Sequence, residues 1–222
     1  MKILNLFCGI GGNRTLWDED HDITAVEWDQ RIAMIYHKRF PKDKVIIGDA
    51  YEYFINNFEK FDFVWASPPC PSHSRINHIL VGTRYNNKKC TLQLPDLRLY
   101  SLIFFLKSYF RSYWVVENVI TYYKPLITPN CIIGRHYIWC NYYIKSINSP
   151  IENILNRKKG KKNHISFEKL CEYHMIDYKI FENIKRLDKK KIIKNCVKPI
   201  EGKYILDCVE NKKQKSISDY YG

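Results

Sequence analysis

The sequence predicts an α/β fold built on a doubly wound, mostly parallel sheet. Three observations carry this. Short apolar runs recur from the first residues to about Cys140. The stretches between them have helical spacing or loop character. Each run ends in glycine, an acid or proline rather than in a tight hairpin turn. Strands that alternate with helices form parallel sheets covered on both faces. In such sheets ligands bind beyond the carboxyl ends of the strands, so the residues that end the runs are the candidate site.

Residues 2–7, KILNLF, form the first strand and run into CGIGG and then NRTLWDED, which reads as strand, Gly-rich turn, helix. DITAVEW (22–28) is the second strand, with Glu27 and Trp28 at its far end. DQRIAMIYHKRF has the spacing of an amphipathic helix and stops before Pro41, because the residue before a proline is pushed out of the helical region. KVIIGDA is the third strand, ending in Asp49, and Ala50 opens the helical stretch that continues as YEYFINNF. FDFVWAS is the fourth strand. It must stop at Ser-Pro-Pro-Cys-Pro, since proline cannot donate to a sheet ladder. From Pro71 to about Cys90 the chain is polar and without periodicity, which inside a compact domain points to a functional loop. DLRLYSLIFFLKSYF is a strongly apolar helix, YWVVENV a fifth strand ending in Glu117 and Asn118, and GRHYIWCNYYI one or two more strands. KNCVKPIEGKYILDCV returns to helical spacing near the end.

Composition narrows the class. Hydrophobic residues make up 45% of the chain, enough for a full core, which excludes intrinsic disorder. The 222 residues suit one domain with a small appendage, and a monomer is expected. The net charge is +13, and residues 151–222 carry 18 Lys and Arg against 10 Asp and Glu. Such a field suits a polyanion, or serves solubility alone. Eight cysteines without a Cys-x-x-Cys pair argue against a zinc ribbon or a thioredoxin-type site, and no metal is expected. The opening MKILNLFCGIGG has no small-residue cleavage site, and no stretch is long enough to span a membrane. The expected location is the cytoplasm, with the cysteines reduced.

The strand ends carry chemistry. A Gly turn such as FCGIGG lets a ligand approach backbone N–H groups, and this one lacks the Gly-Lys-Ser/Thr ending of a phosphate loop. An acid ending the second strand suits a ribose diol, Trp28 could stack on a purine, and Asp49 could accept from an exocyclic amine. Together these describe an adenosine-containing cofactor; the alternative is that both acids are ordinary solvated strand ends. Cys70 stands between prolines at the end of a buried strand, either as a reactive thiol stiffened by its neighbours or as part of a Pro-rich turn.

LNLFCGIGG, SPPCPSHS and VVENV, in this order, resemble the first, fourth and sixth motifs of the DNA (cytosine-5)-methyltransferases. Glu27, Trp28 and Asp49 match that family's second and third cofactor motifs. The resemblance covers roughly residues 2–140 and returns at KNCVKPIEGKYIL, which is similar to the closing motif. It implies a Rossmann-like sheet of the S-adenosylmethionine-dependent methyltransferase type and S-adenosylmethionine as methyl donor. Phe7, Cys8, Gly9, Ile10, Gly11, Gly12, Glu27, Trp28, Asp49, Ala50, Pro69, Asn195 and Cys196 are the implied cofactor-binding residues. It also implies Cys70 as a nucleophile toward C6 of cytosine, Glu117 on N3 and the exocyclic amine, Arg135 on O2, and Ser74 at the family's serine position. The partner is double-stranded DNA with the target base flipped out. Arg75, Arg84, Lys158, Lys159, Lys161 and Lys162 are the candidate DNA contacts. His73 is either a phosphate contact or a polar loop residue.

This sequence departs from the family pattern at several positions. Pro71 replaces the Gln that commonly follows the nucleophile, Asn5 stands where Asp is frequent, Ile133 replaces the first arginine of the later motif, and Lys194 and Cys196 stand at the Gly and Ser of the closing pattern. The expected organisation is a catalytic and cofactor-binding region over 1–145, a small target-recognition segment over 146–194, and a return to the catalytic domain over 195–222. A recognition segment of that length, rich in Lys and Asn, suggests a short or relaxed target site. The resemblance also fits a restriction-modification setting, in a bacterial or phage-infected cell. The alternatives are an RNA cytosine-5 methyltransferase of the tRNA type and a catalytically inactive DNA-binding relative.

Overall fold

A computed structural model describes residues 1–82, 84–85, 88–89, 91, 93–146, 166–182, 184 and 186–210. Nine strands lie among the described residues: β1 Lys2–Leu6, β2 Asp22–Glu27, β3 Lys44–Ile47, β4 Phe63–Ala66, β5 Arg84–Tyr85, β6 Lys88–Lys89, β7 Tyr113–Val119, β8 Cys131–Ile133 and β9 His136–Cys140. Seven of them form one sheet in the order β3-β2-β1-β4-β7-β9-β8, and β5 with β6 forms a separate antiparallel pair. The pairings from β3 across to β7 are parallel, and β9 runs antiparallel to both its neighbours. The strand order reverses between β1 and β4, the place where such sheets open a crevice for ligands.

The sheet is covered on both faces, as its apolar strands require. Helices α1 (Gln30–Arg39), α2 (Ala50–Asn57) and α4 (Arg98–Tyr109) are the crossovers, α3 (Arg75–Ile79) is short, and α5 (Phe167–Tyr173), α6 (Arg186–Lys194) and α7 (Pro199–Val209) follow the sheet. Strand alternation divides the core. Leu4, Leu6, Val64 and Val116 pack with Phe54, Leu102 and Leu106 of α2 and α4. Ile3, Phe63, Trp65 and Val115 pack on the other face with Ile205 and Leu206 of α7. α2 begins where it does because Asp49 caps it, accepting from the backbone N–H of Tyr51 and Glu52. α7 begins with Pro199 at its first turn, where a missing N–H costs nothing.

One expectation is corrected. The Gly turn is followed by a single 3₁₀ turn, Asn13–Leu16, and not by a helix. Trp17 leaves that turn in extended conformation and buries its indole against Trp65, donating from Nε1 to Gly202 O at 3.1 Å. α7 packs directly on that turn: a Cβ on Gly202 would lie 2.4 Å from Asn13 O. A buried staple braces the turn from below. Arg14 pairs with Asp43 at 3.0 Å, and Tyr36 Oη donates to the same carboxylate at 2.8 Å. Removing either charge from such a buried pair costs about 3–5 kcal/mol.

Residues 166–194 read in the sequence as a Lys- and Asn-rich stretch, yet their described parts are mostly helical and have their own apolar side. Leu170, Cys171, Ile176, Phe181 and Ile193 close over Ile10 of the Gly turn and Ile35 of α1. The run at 158–162 lies outside the described residues. No helix among the described residues is long and apolar enough to cross a membrane.

Candidate active site

The β1–β3 edge is made of backbone. Phe7, Gly9 and Gly11 all have positive φ, at 55°, 55° and 76°. For Phe7 this is a sparsely populated conformation, held by ladder bonds on either side of the turn and by packing of its ring on Tyr51 at 5.0 Å. Nothing lies within 4 Å of where a Cβ on Gly9 or Gly48 would stand, so both strand ends leave backbone open to a ligand. Gly12 is different: a Cβ there would fall 2.1 Å from Val197 O and 2.2 Å from Cys196 Sγ, so the closing segment is seated directly on the turn. Cys8 and Ile10 point into core clusters, which leaves only their backbone for binding.

Glu27 is 7% exposed and already engaged. One carboxylate oxygen accepts from Gly9 N at 3.1 Å and the other from Asp29 N at 3.0 Å. Burial raises its pKa, and those backbone bonds oppose the rise. Trp28 is its opposite, 79% exposed at the mouth of the edge. Asp49 is exposed and Ala50 buried. Sequence reasoning passed over Arg39, which donates to Ile10 O and, at 2.8 Å, to Thr15 Oγ1, and so clamps the Gly turn to α1. Asn5 is fully buried in a reciprocal amide pair with Asn13, at 2.9 and 3.3 Å, a partner that suits a neutral Asn better than Asp.

The β4–β7 edge is made of side chains. Pro68 O accepts from Asn118 Nδ2 at 2.9 Å, which fastens the Pro-Pro-Cys turn to the end of β7. His73 N donates to Cys70 O at 3.0 Å, Asp96 N to Ser72 Oγ at 3.2 Å, and Tyr122 N to His73 O at 3.2 Å. His73 itself is fully buried, with Nδ1 2.5 Å from Tyr123 Oη. It is therefore a core anchor of the loop and not a phosphate contact. Pro69 is exposed and Cys70 half-buried. Burial pushes the Cys70 thiol up to about 11, and the negative charge of Glu117 adds to the rise. The two strand ends thus bring the predicted nucleophile and the predicted acid into one electrostatic field. Glu117 is 8% exposed, and its Oε1 lies 3.4 Å from His136 Nε2.

Arg135 is exposed in the β8–β9 turn beside Gly134, whose φ is 56°, and its carbonyl accepts from Ile120 N at 3.1 Å just past β7. Ser74 bridges to Thr121 and lines a shallow concavity with Pro71, His78 and Tyr122, the last two rings stacked at 4.3 Å. Arg75 is exposed and spends Nε on Thr121 O at 3.0 Å. Arg84 falls in β5, but its side chain lies outside what is described, as do Lys158, Lys159, Lys161 and Lys162 entirely. Asn195 is exposed at the end of α6, while Cys196 packs under Gly12 and is pushed up to about 12 by burial.

Residues 1–119 match the family described as C-5 cytosine-specific DNA methylase. The chain is 27% identical to the Type II methyltransferase M1.HgaI of Avibacterium volantium, over 90% of this chain and 54% of that protein. It therefore spans about half the length of that curated relative. Solved structures with some likeness include a DNMT2 variant from Spodoptera frugiperda (19% identity, 76% of this chain and 63% of that one, TM-score 0.45) and the methyltransferase EhMeth of Entamoeba histolytica (16%, 79% and 66%, TM-score 0.38).

Proposed function

The chain belongs to the C-5 cytosine-specific DNA methylase family, and from that premise we propose that it methylates C5 of a flipped-out cytosine in duplex DNA through a covalent bond to Cys70. The observation that carries this reading is the coupling of Cys70 and Glu117 at adjacent parallel strand ends, beside an edge whose open backbone fits an adenosine-containing donor. The fit is specific: Gly9 and Gly48 leave room, Trp28 offers an exposed ring, and Asp49 stands exposed one strand further on. Bound there, S-adenosylmethionine supplies a sulfonium methyl, the electrophile that C5 requires.

This chain's own residues must do the rest. Cytosine C5 is a weak nucleophile until a thiolate adds at C6. As Cys70 Sγ bonds to C6, electron density moves into the ring toward N3 and C5. Glu117, held at the end of β7, can donate a proton to N3 with one oxygen and accept from the exocyclic amine with the other. Arg135 at the neighbouring turn suits O2. Once C5 carries the methyl group, its proton passes to water, that electron pair forms the C5–C6 double bond, the C6–S bond breaks to free Cys70 as thiolate, and N3 gives its proton back to Glu117. The barrier this chain must overcome is the thiol itself: with a pKa near 11, only about one molecule in 10⁴ carries a thiolate at pH 7.

Duplex DNA carrying 5-fluorocytosine tests the reading. Fluorine cannot leave as a proton does, so a methyl donor and this DNA should give a denaturation-resistant complex mapped to Cys70. Absence of that complex on DNA, with its appearance on fluorinated RNA, would move the substrate to RNA. We further propose that target recognition draws on 146–194 and that Lys158, Lys159, Lys161 and Lys162 grip phosphates. Neutralising all four should flatten the dependence of binding on salt and leave the methylated context unchanged.

A further inference from the structure

β7 and β9 are antiparallel, with Glu117 opposite Ile138 and Val119 opposite His136. His136 is thus the diagonal neighbour of Glu117 on the same face of the ladder, a position from which long side chains meet. They do meet: His136 Nε2 lies 3.4 Å from Glu117 Oε1, with the side chains 25% and 11% exposed. The family resemblance assigns no role to His136.

The chemistry of the base makes this contact consequential. N3 of a neutral cytosine is an acceptor, so a carboxylate can bond to it only by bringing a proton. A buried carboxylate beside Cys70 also opposes formation of the thiolate. An imidazolium beside Glu117 answers both needs. It offsets the carboxylate's charge before the base arrives, and it holds a proton that the carboxyl can pass on.

We propose that His136 is the positioning residue of this site, holding Glu117 across the β7–β9 ladder and keeping the proton that Glu117 delivers to N3. This rests on the reading of Cys70 and Glu117 given above. The balance is simple: the imidazolium proton passes through the Glu117 carboxyl to N3 as Sγ bonds to C6, leaving imidazole and carboxylate, and when the C6–S bond breaks the N3 proton returns through Glu117 to His136. Among the described residues, Cys70 on the loop after β4 is coupled electrostatically to Glu117, and Arg135 precedes His136 in the chain, in the turn before β9.

The test begins without DNA, so that it stands apart from the functional reading. Alkylation of Cys70 by iodoacetamide, mapped by peptide mass spectrometry on the full chain, is followed from pH 6 to pH 10. His136→Gln should slow alkylation about tenfold at pH 6. His136→Lys should restore the rate and keep it restored across that range. In a Glu117→Gln background, His136→Gln should have no effect. An unchanged alkylation profile in folded His136→Gln, or an effect that persists without Glu117, overturns the proposal. The profile of kcat/KM on duplex DNA then adds the proton: His136→Gln should move its alkaline limb to lower pH, and His136→Lys should not restore it. If wild-type protein alkylates as expected but forms no complex with fluorocytosine DNA, the functional reading fails and the coupling of the two side chains stands.

Discussion

At the β1–β3 half of the sheet edge, the groups open to a ligand are mostly backbone, with Gly9 and Gly48 facing empty space and Glu27 turned inward to hold two amides. The β4–β7 half is instead built around side-chain partnerships from elsewhere in the chain: Asn118 on Pro68, Tyr123 on His73, His136 on Glu117. One half is a shape, and its demands are steric. The other is a set of buried titratable groups, and its demands are protonic. The same strand-end position in one sheet therefore fails in two different ways when altered.

The largest effect should come from the second half. Cys70→Ser removes the proposed nucleophile and should take turnover below detection, while affinity for S-adenosylhomocysteine by calorimetry changes by less than about 0.5 kcal/mol. Methyl transfer at a near-normal rate would dissolve the division between the halves, because the chemistry would then not depend on the thiol.

Next comes the shape. Gly12→Ala places a methyl 2.1 Å from a backbone carbonyl oxygen, Val197 O, and 2.2 Å from Cys196 Sγ. Carbonyl oxygens do not yield as a side-chain tip does, so the closing segment must shift, at about 1–3 kcal/mol or more. A lower melting temperature and weaker donor binding should appear together. Gly9→Ala meets no atom within 4 Å and carries only the strain of a φ of +55°, about 1–2 kcal/mol. If both substitutions cost the same, crowding under the closing segment is not what fixes Gly12.

This contrast also explains what the sequence made legible. Parallel strands read as continuous apolar runs, and the Gly, acid and Pro that end them are visible without any knowledge of contacts. So the sheet, the Gly turn, Cys70 and Glu117 could all be located. The partners could not. His73 is a polar residue in a polar loop, and nothing in the pattern says that it is fully buried against Tyr123. His136 becomes the neighbour of Glu117 only through the β7–β9 register. Residues 166–194 hide their apolar side because α5, at Phe167–Tyr173, and the turn at Tyr178–Phe181 are each too short to show a period. The 3₁₀ turn after the Gly turn is likewise packed from far along the chain, by α7 on Asn13 at residue 202.

A smaller effect separates the two uses of an acid. Glu27→Ala leaves Gly9 N and Asp29 N without their carboxylate, and should cost about 1–3 kcal/mol in donor affinity. The melting temperature of the ligand-free protein should fall as well, because the bonds lost are internal. Unchanged stability with weakened binding would show that Glu27 serves the ligand alone. Unchanged binding with lowered stability would mean that the ribose lies elsewhere.

Trp28 provides the smallest effect and the sharpest reading of the shape half. Its ring is 79% exposed, so no core contact depends on it and Trp28→Ala should leave the melting temperature within the range of an ordinary surface change. If the ring stacks on a purine, affinity for S-adenosylhomocysteine should fall by about 1 kcal/mol, close to fivefold in Kd. Trp28→Phe keeps a π-face and should recover most of that loss. The change should be the same at low and high salt, because stacking a neutral ring releases no counterion, and this distinguishes it from any effect on DNA binding. A fall in melting temperature in Trp28→Ala would make the ring a packing residue. Equal affinity in wild type and Trp28→Ala would place the purine away from the end of β2, and the proposed adenosine edge would then have to be rebuilt from Asp49 outward.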